Sequence, residues 1–286
     1  MTDRPAQTPP QNGLVLLGLP YDGASSYLRG PAAAPALIRA ALNSESTNGW
    51  SESQIDLRAA GVLCDAGDVS ADDAATIRTR IEAAVRAVLE GGGRPLCLGG
   101  DHSVTYPVLR AVRPRFPRLA LLHFDAHSDL YDVFEGDRYS HACPFARIME
   151  EQLVDRLVQI GIRTMNPHQR TQAVRFGVEV VTMEDWDAAR IMSFDTPVYV
   201  SVDLDVLDPA FAPGVSHREP GGLSVRELLR VIQRTRGEII GGDVVEFNPT
   251  QDHAGVTAWV AAKIVRELAA RILEAPRRAP VSGPTA

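Results

Sequence analysis

The feature that most constrains this chain is a series of short, nearly uninterrupted apolar runs: Leu14–Gly18, Leu96–Leu98, Leu119–Phe124, Leu157–Ile162, Val178–Thr182, Val198–Val202 and Ile239–Val245. Runs this short read as strands, and the lack of polar/apolar alternation points to strands covered on both faces, as in parallel sheets. Helix-like segments are interleaved with them. Ala32–Leu42, the apolar face Ile77, Ile81, Val85, Val88 and Leu89 halted by Gly91 and Gly92, Ser224–Arg236 and Thr257–Glu274 are the clearest. Ser70 with Asp73 and Ser224 with Glu227 have the spacing of capping boxes. Strands alternating with helices predict a three-layer α/β/α domain around a central, mostly parallel sheet. With 286 residues, 45% of them hydrophobic, the chain has material for one such domain over residues 13–274, and the Pro-, Thr-, Ser- and Ala-rich stretches 1–12 and 275–286 read as flexible ends.

The composition narrows the partners. No run approaches the roughly eighteen apolar residues of a membrane span, and the polar start lacks the apolar core of a signal peptide, so a cytoplasmic location is expected. A formal charge of −7 argues against nucleic acid and suits a small cationic substrate. Cys64, Cys97 and Cys143 have no zinc-type spacing and read as reduced thiols.

The residues that carry chemistry follow the strands. Asp125-Ala126-His127-Ser128-Asp129 and Asp203-Leu204-Asp205 place ligand-type side chains at alternate positions, each just after an apolar run, and residues two apart on an extended backbone point the same way. His102, in Gly99-Gly100-Asp101-His102-Ser103, sits at the end of another run, where the glycines let backbone crowd a site. A single Asp after a strand is ordinarily a helix cap or turn former. A set with histidines at the intermediate positions is not explained that way, and so much buried charge calls for cations. The oxygen-rich donor set suits Mn²⁺ better than structural zinc. A metal pair makes hydrolysis the first reaction to consider.

Three further residues have two readings each. Asp101 is an acceptor orienting His102 or a helix cap. Glu246, ending the last apolar run, pairs either with a protein arginine or with a substrate guanidinium held by both its oxygens. His141, in the loop after the Asp125–Asp129 motif, is an exposed histidine or a proton shuttle.

These motifs, with Ser201-Val202-Asp203-Leu204-Asp205-Val206-Leu207-Asp208-Pro209 and the Glu246 strand, resemble the ureohydrolases, the arginases and agmatinases, from about Leu14 to Leu273. The resemblance implies two Mn²⁺ per subunit, one held by His102, Asp125, Asp129 and Asp203 and the other by His127, Asp125, Asp203 and Asp205. It further implies that Glu246 holds the substrate guanidinium, that His141 relays protons, and that the products are urea and an amine.

For the substrate the resemblance divides. Animal-type arginases carry a carboxylate-binding Asn where this chain has Tyr131, a replacement similar to agmatinases. Ser46-Thr47-Asn48, Phe134-Glu135-Gly136 and Gly214–Gly222 look most like plant-type arginases, and His217-Arg218 departs from the agmatinase loop. The expectation is agmatine hydrolysis to putrescine and urea, with polyamine synthesis as its setting. L-Arginine, guanidinobutyrate and a non-enzymatic metal-dependent scaffold are the alternatives, and a homo-oligomer, trimer or hexamer, is implied by the resemblance.

Overall fold

The computed structural model describes residues 13–274. The expected loose ends, 1–12 and 275–286, lie outside the described residues. In chain order the elements are β1 (Leu14–Leu19), α1 (Ala34–Leu42), β2 (Leu63–Asp68), α2 (Ile77–Glu90), β3 (Arg94–Gly99), α3 (Thr105–Val112), β4 (Ala120–Phe124) and α4 (Pro144–Glu150), then β5 (Arg156–Ile162), α5 (Pro167–Phe176), β6 (Glu179–Thr182), β7 (Val198–Asp203), α6 (Val225–Arg234), β8 (Ile239–Val245) and α7 (Val256–Glu274).

All eight strands join one sheet in the order β2-β1-β3-β8-β7-β4-β5-β6, and every pairing is parallel. The apolar runs became the inner strands: β1, β4, β7 and β8 are buried along their whole length. Helices cover both faces. On one face α1 and α7 pack over β1, β3 and β8, with α6 beside α7. On the other α2 and α3 lie against Leu17, Leu19, Leu121 and Tyr199. The three-layer expectation is met.

Two local expectations change. β2 has no apolar run, because it is an edge strand whose outer part, Asp65–Asp68, is exposed. Ser70 and Asp73 do not form a capping box: Asp73 turns its carboxylate onto the Ala75 amide and the Thr76 hydroxyl, and Thr76 becomes the residue before α2. The Ser224/Glu227 box is present, both reciprocal bonds made. The chain leaves β3, crosses two strand positions to β4, and fills them only later with β7 and β8. That reversal sets the carboxyl ends of β3, β8, β7 and β4 side by side, the place where open α/β sheets bind ligands.

Candidate metal centre

His102 follows β3 in a short 3₁₀ turn. The turn is set by Gly100: a Cβ there would lie 1.8 Å from the Tyr21 carbonyl oxygen, which accepts from the Asp101 amide at 2.8 Å. Asp101 takes the capping role, accepting from the Ser103 amide. Its other oxygen holds the Ala24 amide at 2.9 Å, pinning the 22–26 loop, and burial together with the Glu246 charge raises its pKa to about 6. The imidazole of His102 is oriented instead by Ser201, whose hydroxyl lies 3.0 Å from Nε2 and donates to Asp243 at 2.6 Å. Ser201 therefore accepts from Nε2–H, which leaves the proton-free Nδ1 facing the carboxylates of Asp125, Asp129 and Asp203, each at 3.2 Å.

A buried lone pair aimed at three anionic oxygens is unstable unless a cation lies between them. His102 Nδ1 is fully buried and has no hydrogen-bond partner. In the protein alone a proton serves, and burial, which disfavours the imidazolium, is overcome by those carboxylates, so the pKa of His102 stands well above its ordinary value. The same crowding acts on the acids. Burial, then Asp205 and Asp125, push Asp203 well above the usual carboxylate range, and burial with Asp125 brings Asp205 to about 6.

A second cluster adjoins the first. His127 Nδ1 lies 3.3 Å from Asp125 and 2.9 Å from Asp205. Asp205 is aimed by the Ala126 amide at 3.0 Å, and Asp203 by the Asp205 amide at 2.8 Å. The six expected ligands thus converge, with Asp125 common to both clusters. Asp125-His127-Asp205 has spacing fit for a cation, and so does His102-His123-Asp125. Asp129 reaches its position through a left-handed φ of +49°, a strained conformation concentrated at functional sites.

Glu246, just past β8, is also left-handed, φ +63°. Its Oε1 accepts from the His102 amide at 2.9 Å and from His141 Nδ1 at 2.8 Å. Among the described residues no donor reaches Oε2, and no arginine pairs with Glu246. Burial opposes the charge on both groups, but Glu246 pushes His141 up to about 9, and His141 holds Glu246 below its usual value. His141 Nε2 lies 2.8 Å from the Ser26 hydroxyl. The exposed-histidine reading of His141 is excluded, since it is 7% exposed.

Tyr131 is held toward α5: its hydroxyl accepts from Asn166 at 2.6 Å and its ring stacks on His168. His217 stands nearer the cluster, its ring 5.3 Å from that of His141 and 5.8 Å from that of His127. Sequence reading missed His123, Gln159, Ser201 and Asp243. The signal for Ser201 and His123 was their position two residues before Asp203 and Asp125, on the same strand face; for Asp243 it was a lone acid inside an apolar run.

Known proteins resemble this chain over most of its length. A family model described as Arginase family matches residues 12–270. "Arginase 1, mitochondrial" of Arabidopsis thaliana is 48% identical over 274 residues, 90% of this chain and 80% of that protein. A guanidinopropionase of Pseudomonas aeruginosa is 39% identical over 92% of this chain and 87% of its own length. The solved arginase from Medicago truncatula superposes with a TM-score of 0.87 at 44% identity, covering 92% of this chain and 88% of that one. The name of the Arabidopsis relative places that protein in mitochondria, in contrast with the cytoplasm expected here. The chain belongs to the arginase family and is a C–N hydrolase acting on linear amidines.

Proposed function

We propose that the chain is an arginase, a binuclear Mn²⁺ enzyme that hydrolyses L-arginine to L-ornithine and urea. The observation that carries this reading, and moves it away from agmatine, is the 48% identity to a plant arginase across 90% of the chain. The orphaned Nδ1 of His102 and the buried Asp125, Asp129, Asp203 and Asp205 fit a pair of divalent cations. His102, Asp125, Asp129 and Asp203 are assigned to one ion, and His127, Asp125, Asp203 and Asp205 to the other. Such a pair supplies Lewis acidity that makes water nucleophilic near neutral pH.

The chain's own groups do the rest. Oε2 of Glu246 is left to accept from the guanidinium, and Oε1, already holding the His102 amide and His141, fixes its direction. His141 is assigned the proton relay to the departing amine, which cannot leave as an anion; Glu246 holds its Nδ1–H, and its Nε2, which accepts from the Ser26 amide at 3.2 Å, is the end that takes up and gives the proton. Water adds to the guanidino carbon, the bond from that carbon to the chain-bearing nitrogen breaks, and this nitrogen takes a proton and leaves as the amine while the carbon becomes that of urea.

Tyr131 favours a second reading, agmatine. It stands where animal-type arginases have a carboxylate-binding Asn, and its hydroxyl is already bound to Asn166. Urea release from Mn²⁺-loaded enzyme with L-arginine, agmatine, guanidinobutyrate and guanidinopropionate separates the readings. L-Arginine is expected to have the highest kcat/KM; a clear preference for agmatine restores that substrate. A cytoplasmic location and a trimeric or hexameric assembly complete the proposal, and light scattering of the purified protein tests the assembly.

A further inference from the structure

The residues expected to hold metal stand on a polar layer of the sheet. Gln159 pairs in register with His123, His123 with Ser201, and Ser201 with Asp243, so these side chains lie abreast across β5, β4, β7 and β8. All four are fully buried. A row of polar side chains inside apolar strands is costly unless every member has a task. Ser201 and Asp243 orient His102. His123 has the spacing of a ligand, sharing a possible cation position with His102 and Asp125.

Its protonation shows otherwise. The carboxamide nitrogen of Gln159 lies 2.7 Å from the Ser128 carbonyl oxygen, an acceptor only, which settles which end of the amide is nitrogen. The same nitrogen lies 3.0 Å from His123 Nδ1, so it donates and Nδ1 accepts. The proton of the neutral ring is then on Nε2, 2.9 Å from Asp125 Oδ2. A nitrogen that carries a proton cannot offer a lone pair to a metal. Asp125 Oδ2 is the oxygen that also faces His102 Nδ1. Phe145 stacks on the His123 ring at a centroid distance of 3.8 Å and keeps it from swinging.

We propose that His123 is a positioning residue and not a ligand: Gln159 fixes its tautomer, and its Nε2–H holds the carboxylate of Asp125 in the orientation that serves both cation positions. The proposal rests on the metal-centre reading of the site. Partners of this kind contribute roughly 10- to 100-fold in metal affinity.

The test compares wild type with His123→Phe, which keeps a ring on Phe145 but has no donor, and His123→Gln, whose amide reaches the same place with an N–H. Mn²⁺ affinity is measured by competition with a fluorescent chelator, and the wild-type tautomer by long-range ¹H–¹⁵N spectra of the metal-free protein. Expected are a loss of affinity of about 10- to 100-fold in His123→Phe, recovery to within a few-fold in His123→Gln, and an Nε2-protonated ring. Equal affinity in wild type and His123→Phe, or equal loss in both variants, overturns the positioning role while leaving the metal centre intact. A wild type that takes up no Mn²⁺ overturns the metal-centre reading, and this proposal with it. Should His123→Phe fail to fold, the tautomer decides: a proton on Nδ1 refutes the assignment.

Discussion

Replacing Glu246 by Gln keeps the side chain's shape and removes its charge, which tests the guanidinium anchor and the His141 proton together. The residue is 4% exposed; its charge serves His141 through Oε1, and the proposal assigns Oε2 to the substrate. Its worth to His141 can be read from the shift. Against the cost of burial, Glu246 and its neighbours raise the imidazole from 6.5 to about 9. At about 1.4 kcal/mol per pKa unit that is roughly 3 kcal/mol. Breaking a buried charge pair from one side costs roughly 3 to 5 kcal/mol, the same order. On the substrate side the Gln amide also turns one acceptor into a donor facing guanidinium donors.

The expected result is a fall in kcat/KM of about two to three orders of magnitude with L-arginine, since each 1.4 kcal/mol is tenfold. The pH profile carries the sharper signature. His141 is raised in the folded protein, so its charged form, and the stability it adds, is present below its ordinary pKa and is lost as pH rises through about 9. In Glu246→Gln burial remains and the counter-charge is gone, so the basic limb moves down toward neutrality. Urea release from pH 6 to 10, with metal content by elemental analysis, reads both. Near-normal kcat/KM, or a basic limb that stays in place, refutes the reasoning; a loss of metal would show that the effect is not electrostatic.

Asp203→Ala is expected to abolish stable binding of both ions, where wild type holds two Mn²⁺ per chain by elemental analysis, because its carboxylate is assigned to both positions; a wild type saturating at one ion with full activity contradicts the pair. His141→Ala should keep its metal and lose about two or more orders of magnitude in kcat, checked by urea release per bound ion. Gly100→Ala brings a Cβ to 1.8 Å from the Tyr21 carbonyl oxygen, a backbone atom that cannot rotate away. Its cost should exceed the roughly 1–3 kcal/mol of ordinary overpacking, seen as a large fall in Tm.

The parts of this protein that a single sequence reveals are those encoded along one strand. Apolar runs announced β1, β4, β5, β7 and β8, because strand periodicity is local. The acids and histidines announced the cluster by their place just past strand ends, while the extended backbone expected over 125–129 and 203–205 is not what aims them, since β4 ends at Phe124, Asp129 is left-handed and Leu204–Val206 is a 3₁₀ turn. β2 escaped because its exposed outer part needs no apolar residues. Asp101 kept two readings until the loop it holds, Ala24 and Ser25, was seen to come from a distant part of the chain.

The polar row was illegible for a different reason. His123, Ser201, Asp243 and Gln159 each look like an isolated polar residue in an apolar run, and only register makes them neighbours. Register depends on strand order, and here β7 and β8 stand between two strands that are consecutive in sequence. The row in turn constrains register. A slip of β4 by one residue would set Phe124 opposite Ser201, and since strand side chains alternate in direction, it would also turn Asp125 away from His102 and Asp203. The hydrogen bonds of the buried row, which such a slip would break, therefore hold the carboxylates in place and discriminate against the misregistered sheet.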